Sequence, residues 1–146
     1  MKDSRIITEQ DMPHIAQKVI ETLASSTTAR AKVVFLEGDL GAGKTTFTKE
    51  LAEVLGVHKE DVHSPTFILK KEYSTQHASF QKLIHIDAYR FENKEEASVL
   101  RLEEDLKDPQ TLIVIEWPSK MNHQNPDMMI TLTVVDDETR EMEVNL

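Results

Sequence analysis

Hydrophobic residues recur along this chain with two periods, one typical of β-strands and the other typical of α-helices. Nearly unbroken apolar runs predict buried strands at residues 32–36, 82–87 and 111–116. Alternation of apolar and polar residues predicts further strands at residues 66–73, 129–135 and 140–146. Because segment 74–80 is short and mostly polar, we expect the chain to turn there and to form a hairpin.

Apolar residues at helical spacing predict three helices, at residues 11–25, 45–55 and 94–106. Pro13 suits the first turn of the first helix, and Gly56 suits the end of the second. Asn93 and Glu96 form a cap pair at the start of the third. Helices interspersed among strands predict a single α/β domain covering the whole chain, with a mixed sheet flanked by helices. We expect parallel strands at its centre and antiparallel strands at its edges.

Three of the four glycines fall within one eight-residue segment between a predicted strand and a predicted helix. The segment is Gly38-Asp39-Leu40-Gly41-Ala42-Gly43-Lys44-Thr45, which matches the phosphate-binding loop pattern G-x-x-x-x-G-K-[ST]. Glycine is costly where the backbone does not need its freedom, so this concentration favours a functional loop over a simple glycine turn. The sequence therefore predicts a site for nucleotide phosphates.

In such a loop, successive backbone N–H groups and the positive end of the following helix point at one concavity. The residues expected to bind the nucleotide are Asp39, Leu40, Gly41, Ala42, Gly43, Lys44, Thr45 and Thr46. Lys44, expected to be an exposed loop side chain, would contact the β- and γ-phosphates, and the Thr45 hydroxyl would hold Mg²⁺. Thr46 is expected to cap or face the first helical turn.

Magnesium is bound by several oxygen ligands, so we expect a carboxylate to bind it in addition to the Thr45 hydroxyl. Asp87 and Glu116 each end an apolar run, and the carboxyl ends of parallel strands are where ligands bind in open α/β sheets. The alternative for either acid alone is a solvated turn or cap. Together they predict a metal and water site, and the sequence leaves the division of roles between the two acids open.

Four segments in this order resemble the TsaE family of small ATPases. They are the loop extended to Thr46, then Ser64-Pro65-Thr66-Phe67, then His85-Ile86-Asp87-Ala88-Tyr89-Arg90, then Ile115-Glu116-Trp117. The resemblance spans roughly residues 6–133. One departure is Pro118, since other members often carry a small polar residue after the tryptophan, and this affects only the local loop.

The resemblance implies a P-loop NTPase-like fold, ATP and Mg²⁺ as cofactors, and a role in making threonylcarbamoyladenosine in tRNA. It implies that Thr66 is the polar contact of a switch segment near the γ-phosphate, and that Asp87 and Glu116 are essential acids. With Lys44 of the loop, these three residues are the expected catalytic residues. It also implies that Trp117 lies beside the nucleotide, the alternative being a packing anchor at a strand end. The implied partners are the TsaB and TsaD proteins.

Two other functions share this loop. A small-molecule kinase needs a basic lid over the phosphates, but only Arg90 and Arg101 lie in the middle of the chain. A guanine switch protein needs an N-K-x-D motif, and the nearest match, at residues 93–96, ends in Glu96 and is better explained as a helix cap. No arginine near the loop stands out as the residue that would neutralise negative charge in the transition state of hydrolysis, although Arg90 is a candidate.

The formal net charge of -9 argues against broad independent binding to nucleic acid, so we expect any tRNA role to be indirect. The chain has no cysteine, which excludes disulfides and thiolate metal sites. The apolar runs are too short for a membrane span, and no signal peptide is predicted. We therefore expect a cytoplasmic protein.

Overall fold

Seven strands form one mixed sheet in the computed structural model of the chain, which describes residues 2–63, 70–121 and 125–146. The strands are β1 (Lys2–Thr8), β2 (Lys32–Glu37), β3 (Lys70–Ser74), β4 (Lys82–Asp87), β5 (Thr111–Glu116), β6 (Met128–Val134) and β7 (Thr139–Asn145). The helices are α1 (Met12–Ala24), α2 (Lys44–Val54) and α3 (Leu102–Leu106). Short 3₁₀ helices cover Glu9–Asp11, Lys59–Asp61, Lys94–Leu100 and Pro118–Lys120.

The strand order across the sheet is β1-β7-β6-β2-β5-β4-β3. β2 runs parallel to both β5 and β6, and β4 runs parallel to β5. The β3–β4, β6–β7 and β1–β7 pairs are antiparallel. The α/β prediction, with parallel strands at the centre and antiparallel strands at both edges, is therefore confirmed.

Each face of the sheet covers its own apolar core. α1 and α2 pack against one face, where buried residues from both helices join alternate residues of β2 and β5, such as Val34 and Val114. The other face carries a smaller core around Phe35, Ile113 and Phe91, against which the segment from Lys94 to Leu106 packs. The central strands are buried on both faces, which explains why they are almost wholly apolar.

The predicted continuous helix at residues 94–106 is wrong. A 3₁₀ helix ends at Leu100, Arg101 adopts a left-handed conformation with φ 52°, and α3 then starts a separate short helix. Lys70 explains the break, because its ammonium donates to the Leu100 carbonyl (3.0 Å) and forms an ion pair with Asp105 (2.5 Å). The cap is as expected, since Asn93 Oδ1 accepts a hydrogen bond from the Glu96 N–H at 3.1 Å.

Strand β1 was not predicted, because most of its residues are polar and exposed, as is common at a sheet edge. The predicted strand at residues 66–73 is described only from Lys70 onward, where it pairs with β4 as the predicted hairpin. None of the helices in the described ranges is long and apolar enough to cross a membrane.

Candidate functional site

The glycine-rich loop connects β2 to α2 and depends on backbone conformations that other residues avoid. Gly43, immediately before α2, has φ 105°, in the left-handed region that favours glycine. A Cβ atom at Gly38 would lie only 2.6 Å from the Leu132 carbonyl oxygen, so only glycine fits against β6 there. The loop therefore reaches the start of α2 in a compact turn, in which the Ala42 N–H donates to the Asp39 carbonyl at 3.0 Å.

Lys44 is the first residue of α2, and its ammonium lies over the loop. It donates hydrogen bonds to the carbonyls of Gly38 (2.5 Å) and Asp39 (3.0 Å) and lies 4.5 Å from the centre of the Trp117 ring. The expectation of an exposed side chain is wrong, because these contacts leave Lys44 only 5% exposed. Burial lowers the pKa of its ammonium, and nearby carboxylates, chiefly Glu116 and Asp87, oppose that shift. A buried ammonium held by carbonyls can bind an anionic phosphate more strongly than it binds carbonyls.

The two predicted acids end neighbouring parallel strands and face each other in register. Glu116 is 2% exposed, and its two carboxylate oxygens lie 3.3 and 3.4 Å from the Thr45 hydroxyl. Asp87 accepts a hydrogen bond from the Tyr89 N–H at 3.0 Å. The structure thus brings a loop hydroxyl and two carboxylates to one edge of the sheet.

These groups line one cavity of about 290 Å³ at the carboxyl end of the parallel strands. Its lining residues are Leu40, Gly41, Gly43, Lys44, Thr45, Thr46, Asp87, Tyr89, Glu116 and Trp117. Of the other predicted site residues, Asp39 contributes its carbonyl to Lys44, and Thr66 lies outside the described residues together with the rest of the predicted switch segment.

A second cavity of about 450 Å³ adjoins the first and shares Gly41, Gly43 and Thr46 with it. Ala42, the remaining predicted loop residue, lies here. The other lining residues come from the N-terminal segment and the β6–β7 turn, and they are Thr8, Glu9, Gln10, Met12, Asp137, Glu138 and Arg140. The loop therefore lines two adjoining cavities, and both contain charged side chains.

Trp117 and its neighbours form an aromatic rim on the first cavity. Trp117 has a left-handed backbone (φ 58°), which is uncommon for a residue with a side chain, and its ring lies 5.0 Å from that of Tyr89. Pro118 starts the following 3₁₀ turn, a position that proline favours. The tryptophan thus contacts Lys44 and also packs against the smaller core, so its place beside a nucleotide stays a prediction.

Arg140 contacts the loop through its guanidinium, and the sequence did not predict this contact. Its Nε donates to the Ala42 carbonyl at 3.1 Å, and its Nη2 lies 3.4 Å from the Gly41 carbonyl. The Ala42 carbonyl and the Gly43 N–H belong to the same trans peptide group, and they point in opposite directions. The Gly43 N–H therefore points away from Arg140. Arg140 is separated from Ala42 by 98 positions, and no local pattern in the sequence signals the contact.

Comparisons with known proteins assign this chain to a family. The family model of the threonylcarbamoyl adenosine biosynthesis protein TsaE matches residues 6–144. The tRNA threonylcarbamoyladenosine biosynthesis protein TsaE of Bacillus subtilis is 39% identical over 127 residues, which cover 86% of this chain and 76% of that protein. Its namesake from Aquifex aeolicus is 30% identical over 145 residues, covering 99% and 96% of the two chains.

Among solved structures, the crystal structure of YdiB from Bacillus subtilis superposes with a TM-score of 0.69 at 30% identity. The match covers 99% of this chain and 84% of that one. The family model and the relatives cover most of the chain, and the residues that the family model matches include the loop and both acids described above. The chain therefore belongs to the TsaE family of proteins of tRNA threonylcarbamoyladenosine biosynthesis.

Proposed function

We propose that this chain binds and hydrolyses ATP with Mg²⁺, and that it does so on the TsaB–TsaD complex during threonylcarbamoyladenosine modification of tRNA in the cytoplasm. The observation that carries the proposal is the convergence of Lys44, Thr45, Asp87 and Glu116 on one cavity beside the start of α2. A helix N-terminus, a lysine and two carboxylates at the carboxyl end of a parallel sheet are the groups that phosphoryl transfer requires.

In this proposal, the loop and the first turn of α2 bind the phosphates. The Gly43 N–H and the positive end of α2 attract phosphate oxygens, and Lys44 can exchange its two carbonyl partners for the β- and γ-phosphates. Thr45 and Glu116 present hard oxygen atoms within 3.3–3.4 Å of each other, which suits Mg²⁺. Bound Mg²⁺ would neutralise charge that develops on the phosphates.

The described residues contain no cluster of three or more histidine and acidic side chains that could hold a metal alone. We therefore propose that the nucleotide phosphates and water supply the remaining ligands, the usual arrangement for Mg²⁺ in nucleotide sites. Of the two acids, Glu116 has the contact with Thr45, which favours it as the metal-side carboxylate. Asp87 then faces the same cavity as the candidate for orienting the attacking water.

The wider cavity fits the nucleoside part of the nucleotide. It begins at Thr46, the residue after the metal-binding threonine, so it continues from the phosphate region. Glu9, Asp137 and Glu138 supply acceptors, which suit ribose hydroxyls and an exocyclic amino group.

Trp117 is expected to report nucleotide binding through its fluorescence. Phosphates that draw the Lys44 ammonium away from the indole, now 4.5 Å apart, change the electrostatic surroundings of the ring. Titration with ADP and Mg²⁺ should give a saturable emission change that is weakened in Lys44→Ala and altered in Glu116→Ala. Because Trp117 is the only tryptophan, the signal has one source. An unchanged spectrum at nucleotide concentrations that saturate the protein in calorimetry would give Trp117 a packing role.

Hydrolysis by the isolated chain is expected to be slow and to rise at least about tenfold with TsaB and TsaD present. Arg140 is engaged by the Ala42 and Gly41 carbonyls, and Arg90 is exposed, so no arginine contact with the phosphate cavity is formed in the described residues. Phosphate release should be measured with ATP and with GTP, in the presence and absence of the two partners. Fast turnover that the partners do not change contradicts this prediction.

The same assay separates the proposal from the kinase alternative. A small-molecule kinase transfers the γ-phosphate to an added acceptor and produces a phosphorylated compound, whereas the proposed ATPase produces inorganic phosphate whatever acceptor is added. Co-purification of the chain with its native partners, with and without ATP, tests the proposed complex. Retention of TsaB and TsaD is the expected result.

A further inference from the structure

His85 is a fully buried histidine that contacts the proposed metal-side carboxylate. It lies on β4, and its Nε2 is 2.5 Å from Glu116 Oε2. Its second ring nitrogen, Nδ1, is buried and has no hydrogen-bond partner among the described residues. Among the residues that the structure describes, Glu116 is therefore the one hydrogen-bond partner of this histidine.

The sheet fixes this contact. His85 pairs with Val114 of the parallel neighbour β5, and Asp87 pairs with Glu116 two positions further on. Residues two apart on a strand share a face, so His85 lies on the same face as both acids. Leu83 and Val114, its apolar neighbours on that face, belong to the core under α2. His85 is thus the polar residue between the apolar core and the acid pair.

A purely structural role explains this position poorly. A buried ring nitrogen without a partner reduces stability, and an apolar residue of similar size would fill the core without that cost. The hydrogen bond to Glu116 is what the histidine adds. In the neutral ring, donation from Nε2 leaves Nδ1 as an acceptor, and no donor reaches it among the described residues.

We propose that His85 is a positioning residue that holds the Glu116 carboxylate against Thr45 for Mg²⁺ binding. The Nε2–H fixes Glu116 Oε2, so the carboxylate is held with both oxygens near the Thr45 hydroxyl, Oε1 at 3.4 Å and Oε2 at 3.3 Å, and Oε1 is the oxygen that would bind the metal. A ligand held in one orientation loses less entropy when a metal binds, and partners of this kind commonly change metal affinity by about 10- to 100-fold. This inference rests on the proposed function.

The test compares ADP affinity at a series of Mg²⁺ concentrations, measured by calorimetry, in wild type and variants. His85→Leu removes the donor and is expected to raise the Mg²⁺ concentration for half-saturation at least about tenfold. ADP affinity without Mg²⁺ should stay within about twofold. His85→Gln keeps an N–H donor near the Nε2 position and should recover most of the loss. Thermal unfolding of every variant controls for stability.

A double-mutant cycle separates positioning from a general structural effect. If His85 acts through Glu116, adding His85→Leu to Glu116→Ala, which removes the hydrogen-bond acceptor, should change the Mg²⁺ dependence no further. Independent, additive losses overturn the proposal, and so does an unchanged Mg²⁺ dependence in His85→Leu. His85→Met takes the place of the leucine variant if the latter does not fold, and loss of folding in both makes His85 structural. Wild-type ADP binding without any Mg²⁺ dependence instead contradicts the proposed function.

Discussion

Lys44→Ala is expected to lower ATP turnover at least about 100-fold, because it removes a positive charge placed where phosphate charge develops. The ammonium is held over the loop by the Gly38 and Asp39 carbonyls, so it is already close to the position that phosphates would occupy. In the proposed complex, the ammonium would make charge-assisted hydrogen bonds to the β- and γ-phosphates. The loss of two such bonds, each worth about 1.5–3 kcal/mol, is sufficient for an effect of this size. Phosphate release and calorimetric ATP binding are the measurements.

The variant should remain folded with a small loss of thermal stability. Lys44 is buried, but its polar contacts are to loop carbonyls that water can reach once the side chain is shortened. Lys18→Ala, on the exposed face of α1, is the matched control because it makes the same charge change far from the loop. Normal turnover and ATP affinity in a folded Lys44→Ala protein would remove the phosphate site from this loop.

The parts of this fold that were predictable are those with a local signal. β2, β4 and β5 are apolar because helices or loops cover both faces, and α1 and α2 have one apolar face each. The loop pattern predicts the proposed phosphate site, because its glycines, lysine and threonine lie within eight consecutive residues. The two acids were predictable because parallel strands bring their carboxyl ends to one edge.

The features that the sequence did not indicate depend on contacts between distant residues. The break at Arg101 follows from Lys70, which comes from the neighbouring hairpin and binds the Leu100 carbonyl. Arg140 meets the loop only because β6 and β7 form a hairpin beside it. His85 occupies a position in an apolar strand where a core residue is the ordinary expectation, and only pairing with β5 reveals Glu116 as its partner. The periodicity of apolar residues predicts which face of a strand or helix is buried. It does not predict which distant residue packs against that face.

Glu116→Gln is expected to lower Mg²⁺-dependent hydrolysis at least about 100-fold while leaving the protein folded. The amide has the size of the carboxylate and can accept the hydrogen bond from His85, so packing is kept. The lost negative charge weakens Mg²⁺ binding beside Thr45, and the concentration of Mg²⁺ for half-maximal turnover should rise. Nucleotide binding without Mg²⁺ should strengthen, because one carboxylate no longer repels the phosphates.

Asp87→Asn is the matched comparison, because it removes the same charge from the neighbouring strand in the same cavity. If Asp87 orients the attacking water, its variant should lose kcat at saturating Mg²⁺ with little change in the Mg²⁺ requirement. Turnover measured across Mg²⁺ concentrations for both variants distinguishes the two roles. A raised Mg²⁺ requirement in Asp87→Asn alone would reverse the assignment, and it would make the 3.3 Å approach of Glu116 to Thr45 a structural contact.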